Sequence, residues 1–150
     1  MSDDQDFAES INESLGGWNR TMGLSFVRAT ASEAVAEIVV GAEHLQPYGI
    51  VHGGVYAGII ETVCSTGAAI AAARNGQIVV GVENHSTFLR ATRRGRLRVS
   101  ATPLTRGRRS QVWDAVVRDD GGVAVASGRV RLLCLEGGSD LGGESVVLRG

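Results

Sequence analysis

The chain has 150 residues, 43% hydrophobic and 21% charged, with 15 Lys and Arg against 16 Asp and Glu and a formal net charge of −1. That length suits one domain able to bury a core without disulfides or a structural metal. The composition excludes disorder across the bulk of the chain, and the balanced charge excludes a general affinity for nucleic acid, which needs a basic surplus to neutralise phosphates.

Met1 to Asp6 is acidic and polar, the reverse of a secretory signal. The most apolar stretch, Val55–Ala73, is broken by Glu61, Thr62, Ser65 and Thr66, so no membrane span is expected and a cytoplasmic location is. Cys64 and Cys134 match no metal-ligand spacing; both sit in apolar runs and read as buried free thiols.

In chain order, Asp6–Leu15 reads as a short helix ended by Gly16-Gly17. Leu24–Thr30 and Ala34–Val40 read as strands joined by Ala31-Ser32-Glu33, followed by a loop around Gln46-Pro47-Tyr48-Gly49. Gly54–Arg74 is rich in Ala and Ile, lacks Pro, and stops at Asn75-Gly76, so it predicts a helix. Being apolar nearly all round, that helix is expected to be wrapped by the rest of the protein. Four strand-like runs follow: Ile78–Phe88, Leu97–Leu104, Gln111–Arg118 and Val123–Leu135, with Asp119-Asp120-Gly121-Gly122 as a hairpin turn. This order predicts an α+β fold with an antiparallel sheet around a central helix, a core over about residues 20–135, and loose tails at 1–6 and from Gly137 onward.

Glu61 is the one charged residue between His52 and Arg74. A carboxylate in such a helix must find partners or shift its pKa upward, and groups in that position are enriched at active sites. The alternative is a structural glutamate that caps a neighbouring segment or pairs with one arginine. Ser65 lies four residues on, on the same face; it could steady the carboxylate or a water, or simply bond back to the helix carbonyl four residues earlier. At the helix start, His52-Gly53-Gly54 leaves backbone N–H groups without side chains to block a ligand, a place suited to polarise a carbonyl, although Gly-Gly also makes a tight turn. For His52 the choice is between a donor facing a ligand and a histidine holding the loop.

Gly53 and Glu61 are eight residues apart, or roughly 12 Å along a helix. One reacting carbonyl cannot reach both within one chain, so if both serve one reaction, two subunits must supply them. A homodimer with two shared sites is the economical arrangement.

The run Gln46-Pro47-Tyr48-Gly49-Ile50-Val51-His52-Gly53-Gly54, with Glu61 and Ser65 after it, resembles the hotdog-fold acyl-CoA thioesterases. It is similar to the 4-hydroxybenzoyl-CoA thioesterases of the Arthrobacter type and to the 1,4-dihydroxy-2-naphthoyl-CoA thioesterases of menaquinone synthesis, within the PaaI-like group. The likeness extends through Val80-Gly81-Val82-Glu83-Asn84-His85, Gly95-Arg96-Leu97-Arg98, Gly107 with Arg109, and Gln111-Val112-Trp113, and covers roughly Leu24 to Leu135. Ser65 fits the menaquinone-type pattern, whereas Asn84-His85 fits the 4-hydroxybenzoyl type, so the acyl group stays undecided.

The resemblance implies Glu61 as nucleophile or general base, the Gly53 N–H of a partner subunit as carbonyl-polarising donor, and Gln46, His52 and Ser65 as groups that bind the thioester or orient the water. It implies no metal and no cofactor beyond the coenzyme A of an acyl-CoA substrate, and a homo-oligomer, a dimer or dimer of dimers. Coenzyme A phosphates need cations; Arg90 and Arg109, at positions where the compared families carry arginine, are the first candidates and Arg108 the next, with Gly54 also on the substrate path and His85 either lining it or serving as a satisfied strand histidine. The bland reading of the arginines is solvated charge on sheet edges. Competing functions are a hotdog hydratase or dehydratase, and a non-catalytic acyl-CoA sensor; neither accounts as well for Gln46 together with Glu61.

Overall fold

A 21-residue helix, α3 (Gly53–Ala73), organises the molecule. The structure is a computed structural model and describes residues 2–147. The helix begins one residue before the expected start because His52 caps it: its Nδ1 accepts from the Gly54 N–H at 2.8 Å, satisfying one of the donors a helix start leaves open. It ends at the Asn75-Gly76 turn, where Gly76 adopts φ +68°.

Before it come α1 (Ala8–Ser14), α2 (Gly17–Thr21), β1 (Ser25–Ala29) and β2 (Ala34–Val39). After it come β3 (Gln77–Phe88), β4 (Arg96–Arg106), β5 (Ser110–Arg118) and β6 (Ala124–Glu136). These six strands form one antiparallel sheet in the order β1-β2-β4-β5-β6-β3, so β3 is an open edge beside β6. At the β5–β6 turn, the Asp119 carboxylate accepts from the Gly121 and Val123 N–H groups, as the Asp-Asp-Gly-Gly run predicts.

The sheet packs on α3 through alternate residues. Leu97, Val99, Trp113, Val117, Val130 and Leu132 meet Ile59, Ile60 and Val63, and every one is at most 1% exposed. Burying each aliphatic side chain of this kind contributes about 1.5–3 kcal/mol. Gly67 lets the sheet come close: a Cβ there would run into the Trp113 ring. Cys64 is buried; Cys134 is only half-buried, because β6 runs out beyond the core at that end.

Two expectations change. The helix is not wrapped all round: Ala57, Gly58, Glu61, Thr62, Ser65 and Thr66 form a small and polar stripe that stays partly open. Its length and apolarity are those of a membrane span, yet half of that stretch is buried against the chain's own sheet. Second, Gly16-Gly17 ends one helix and starts another. Helix α2 sets Trp18 against Gly58, where a Cβ would strike the indole, and places the Asn19 side-chain Oδ1 to accept from the Thr62 hydroxyl at 2.8 Å.

The segments expected as tails also have structure. The Asp6 carboxylate accepts from the N–H groups of Ala8 and Ala29, and Asp140–Leu141 pairs with Glu144–Ser145 as a small hairpin, β7 and β8. Residues 1 and 148–150 lie outside the described residues.

Candidate active site

Glu61 sits mid-helix on the open stripe of α3, half-buried, and lines a cleft of about 600 Å³ with Ala57, Gly81, Asn84, Ser86 and Phe88. Its Oε2 accepts from the Asn84 side-chain amide at 3.0 Å, and among the described residues it makes no ion pair. The partner that a carboxylate in an apolar helix requires is therefore a neutral amide and not an arginine. Its Oε1 lies over Gly81; a Cβ at that position would overlap the oxygen.

The phase of β3 decides which side chains meet the carboxylate. Between Gly81 and Glu83 the pairing with β6 slips by one residue, so Val82 is an inserted bulge. Before the bulge, Val79 and Gly81 pair with Cys134 and Leu132 and share their inward face; after it, Asn84, Ser86 and Phe88 pair with Val130, Gly128 and Ala126 and take over that face. His85, opposite Arg129, thereby falls on the outer face, in a shallow depression with Thr87, Asp114 and Arg129. The structure brings Asn84 to Glu61 and sets His85 on the far side of the sheet. Asn84 is the functional candidate that plain alternation could not single out.

The other candidates gather at the start of α3. Gln46, Gly53, Tyr56, Phe88, Leu89 and Arg90 line a second cleft of about 330 Å³. The Gln46 side-chain oxygen accepts from the Tyr48 N–H, and its NH2 group makes no hydrogen bond among the described residues. The Gly53 N–H meets no acceptor among the described residues, and it opens a long helix whose dipole favours negative charge. Because the His52 Nδ1 accepts from Gly54, the neutral ring carries its proton on Nε2. His52 is exposed, so it holds the loop-to-helix turn as a cap and not as a core residue, and it still offers a donor outward. The buried histidine is His44, 1% exposed, whose Nδ1 accepts from Gly41 N–H and whose Nε2 bonds the Met22 carbonyl.

Phe88 borders both clefts and stands beside Gly53, its ring 5.9 Å from that of Tyr56. Ser65, one turn along from Glu61, makes no side-chain hydrogen bond among the described residues; the back-bond to the helix is made by Thr66, to the Thr62 carbonyl at 2.8 Å.

Several arginines are committed elsewhere. Arg96 and Arg98 face Glu37, Arg106 bonds the Ala31 carbonyl and faces Asp3, and Arg93 bonds the Tyr48 carbonyl. Arg90, Arg108 and Arg109 have no carboxylate partner among the described residues and are exposed. Arg90 is near the start of α3. Arg108 is beyond its end, where the Arg108 carbonyl accepts from Gln77 on β3. In one chain these cations are separated by about the length of the helix, roughly 30 Å.

A long helix carrying one acid, opened by His-Gly-Gly and backed by an antiparallel sheet, is the architecture this chain shares with the hotdog-fold thioester hydrolases. The chain belongs to the Thioesterase superfamily, whose family model matches residues 48–126. It is 39% identical over 101 residues to the proofreading thioesterase EntH of Klebsiella pneumoniae, covering 67% of this chain and 73% of that one. Among solved structures it is similar to S. sahachiroi AziG, with 40% identity, a TM-score of 0.78, and 81% and 98% of the two chains covered. It is also similar to thioesterase HI1161 of Haemophilus influenzae, with 26% identity, a TM-score of 0.83, and 91% and 96% covered.

Proposed function

We propose that the protein hydrolyses acyl-CoA thioesters, with a preference for aromatic acyl groups, in a homodimer whose sites are shared between subunits. The observation that carries this reading is the separation of the two halves of the chemistry: within one chain Glu61 lines one cleft, and Gly53 with Gln46 lines another. A second copy, set against the open β3 edge and the uncovered stripe of α3, would bring the Glu61 of one chain toward the Gly53 of the other. The dimer of dimers stands on the family resemblance alone.

In that site the Gly53 N–H and the helix dipole stabilise the oxyanion that forms when the thioester carbonyl is attacked. Glu61 acts in one of two ways. As general base it takes a proton from water, the hydroxide oxygen bonds to the carbonyl carbon, the C–S bond breaks, and the proton passes to the departing thiolate. As nucleophile it bonds the carbonyl carbon itself, expels the thiolate, and leaves an anhydride that water opens. Gln46, His52 and Ser65 bind the reacting group or the water. The exposed Phe88 ring beside Gly53, backed by the buried Tyr56 ring, supports an aromatic acyl group, which would stack on it. Arg90 of one chain with Arg108 and Arg109 of the other would hold the phosphates, and no metal takes part.

The test is free-thiol release from a panel of aromatic and aliphatic acyl-CoAs, with Glu61→Ala run alongside and the mass in solution measured. Hydrolysis by the wild type and none by a folded mutant is expected, with aromatic substrates fastest. Silence across the panel, or a fully active monomer, overturns the reading.

A further inference from the structure

The carboxylate proposed to do the chemistry is held by a side chain that the mechanism has not used. Both amide protons of Asn84 are spent on α3: Nδ2 donates to the Glu61 Oε2 at 3.0 Å and to the Ala57 carbonyl at 3.0 Å. Its Oδ1 accepts from the Ser86 hydroxyl at 2.7 Å. All three contacts agree on one orientation of the amide. Flipping it would set a carbonyl oxygen against a carboxylate and a backbone carbonyl, and would leave the Ser86 hydroxyl facing an NH2 group.

Neighbouring residues make room for this chain of bonds. Gly81 leaves the space that the other carboxylate oxygen occupies. Gly128, paired with Ser86 across the strands, has no Cβ; one built there would come within 2.7 Å of the Ser86 Oγ. The Val82 bulge puts Asn84 and Ser86 on the helix side; a regular strand continued from Val79 and Gly81 would have put Glu83 and His85 there. A donor to a carboxylate fixes its rotamer without neutralising it, which is what a base or nucleophile needs from its support.

We infer that Asn84, oriented by Ser86, is the positioning residue for the Glu61 carboxylate. This rests on Glu61 carrying thioester hydrolysis. A lost charge-assisted hydrogen bond corresponds to about a 10- to 150-fold change in rate, so Asn84→Ala is expected to lower kcat by that factor with KM within about threefold. Asn84→Asp is expected to be slower still, because a second carboxylate would face the first. Ser86→Ala, which leaves both Asn84 donors in place, is expected to lose several-fold in kcat, roughly the worth of a neutral hydrogen bond, and tests the idea should Asn84→Ala fail to fold.

The experiment measures kcat, KM and Tm for these three variants beside the wild type and Glu61→Gln. A purely structural Asn84, tying β3 to α3 through Ala57, predicts a lower Tm with Asp and Ala alike in rate. That result, or Asn84→Ala and Ser86→Ala both retaining kcat within about twofold while Glu61→Gln is inactive, overturns the inference. Wild-type turnover by Glu61→Gln instead overturns the underlying assignment of Glu61, and the inference with it.

Discussion

Replacing Gly81 by alanine should separate activity from stability. Gly81 does not have a positive φ, so its backbone accepts an L-residue without strain, and alanine in place of a strand glycine removes an entropic cost of about 0.5–1 kcal/mol. The new methyl would point to the inner face, into the position of the Glu61 Oε1. The carboxylate must rotate away, and the bond from Asn84 to Oε2 goes with it. That bond, charge-assisted, exposed in one chain and covered in the proposed dimer, is worth about 1.5–3 kcal/mol, or about 10- to 150-fold in rate if the displaced geometry is unproductive. Gly81→Ala should therefore show an unchanged or raised Tm with kcat reduced by one to two orders of magnitude, read from thermal unfolding and thiol release on one preparation. A variant with kcat within about twofold of the wild type would refute the placement of the carboxylate over Gly81. A large fall in Tm would refute the claim that the site is open at its edge.

Gln46→Ala and Ser65→Ala should each slow turnover less than Glu61→Ala does; an equal loss would mean that the roles are misassigned. Arg90→Ala and Arg109→Ala should raise KM for acyl-CoA several-fold, less than a shielded charge-assisted contact would because both arginines are exposed to solvent, and leave a thioester lacking the nucleotide unaffected; equal effects on both substrates would count against phosphate binding. Burial, and after it the nearby carboxylates of Glu61 and Asp114, push the Cys64 thiol up from its ordinary 9.0, while burial raises the Tyr56 phenol from 10.0. The folded chain thus keeps a proton that the unfolded chain releases, so this stability is complete below about pH 9 and is lost as the pH climbs above it. Cys64→Ala should flatten the early part of that decline in Tm, and parallel curves would refute it. Trp113→Ala, removing a ring at 0% exposure whose Nε1 donates to the Gln111 side-chain oxygen at 2.9 Å, should cost about 3–5 kcal/mol by denaturant unfolding; a loss below about 1 kcal/mol would contradict its place in the core.

The elements were legible in the sequence where composition and punctuation agreed. The Ala- and Ile-rich run before Asn75-Gly76 is the central helix to within one residue at each end, and the four later strands lie where their runs predict. Glu61 was legible because a charge in an apolar helix is a local contradiction that demands an account. Helix α2 was not legible, since Gly16-Gly17 signals a stop, and what makes the next five residues helical is tertiary: Trp18 seated on Gly58 and Asn19 accepting from Thr62. His44 was missed because nothing in its neighbours marks it as buried; a carbonyl from Met22, distant in sequence, accounts for its second ring nitrogen.

The part of the site that the sequence concealed turns on a single inserted residue. Alternation reads a strand's faces only while its pairing stays in step, and Val82 takes β3 out of step in the middle of its contact with Glu61, between Gly81 and Asn84. A reader counting by twos from Gly81 places Glu83 and His85 beside the carboxylate, which would surround it with another acid and a titratable ring. The bulge substitutes an amide and a hydroxyl, groups whose charge does not change with pH, and leaves the acid as the one ionisable member of its hydrogen-bonded chain. A strand edge with these groups exposed in a single chain is also what a second copy would cover. Removing water from the Asn84–Glu61 contact would then strengthen it, so that assembly and the positioning of the carboxylate become one event.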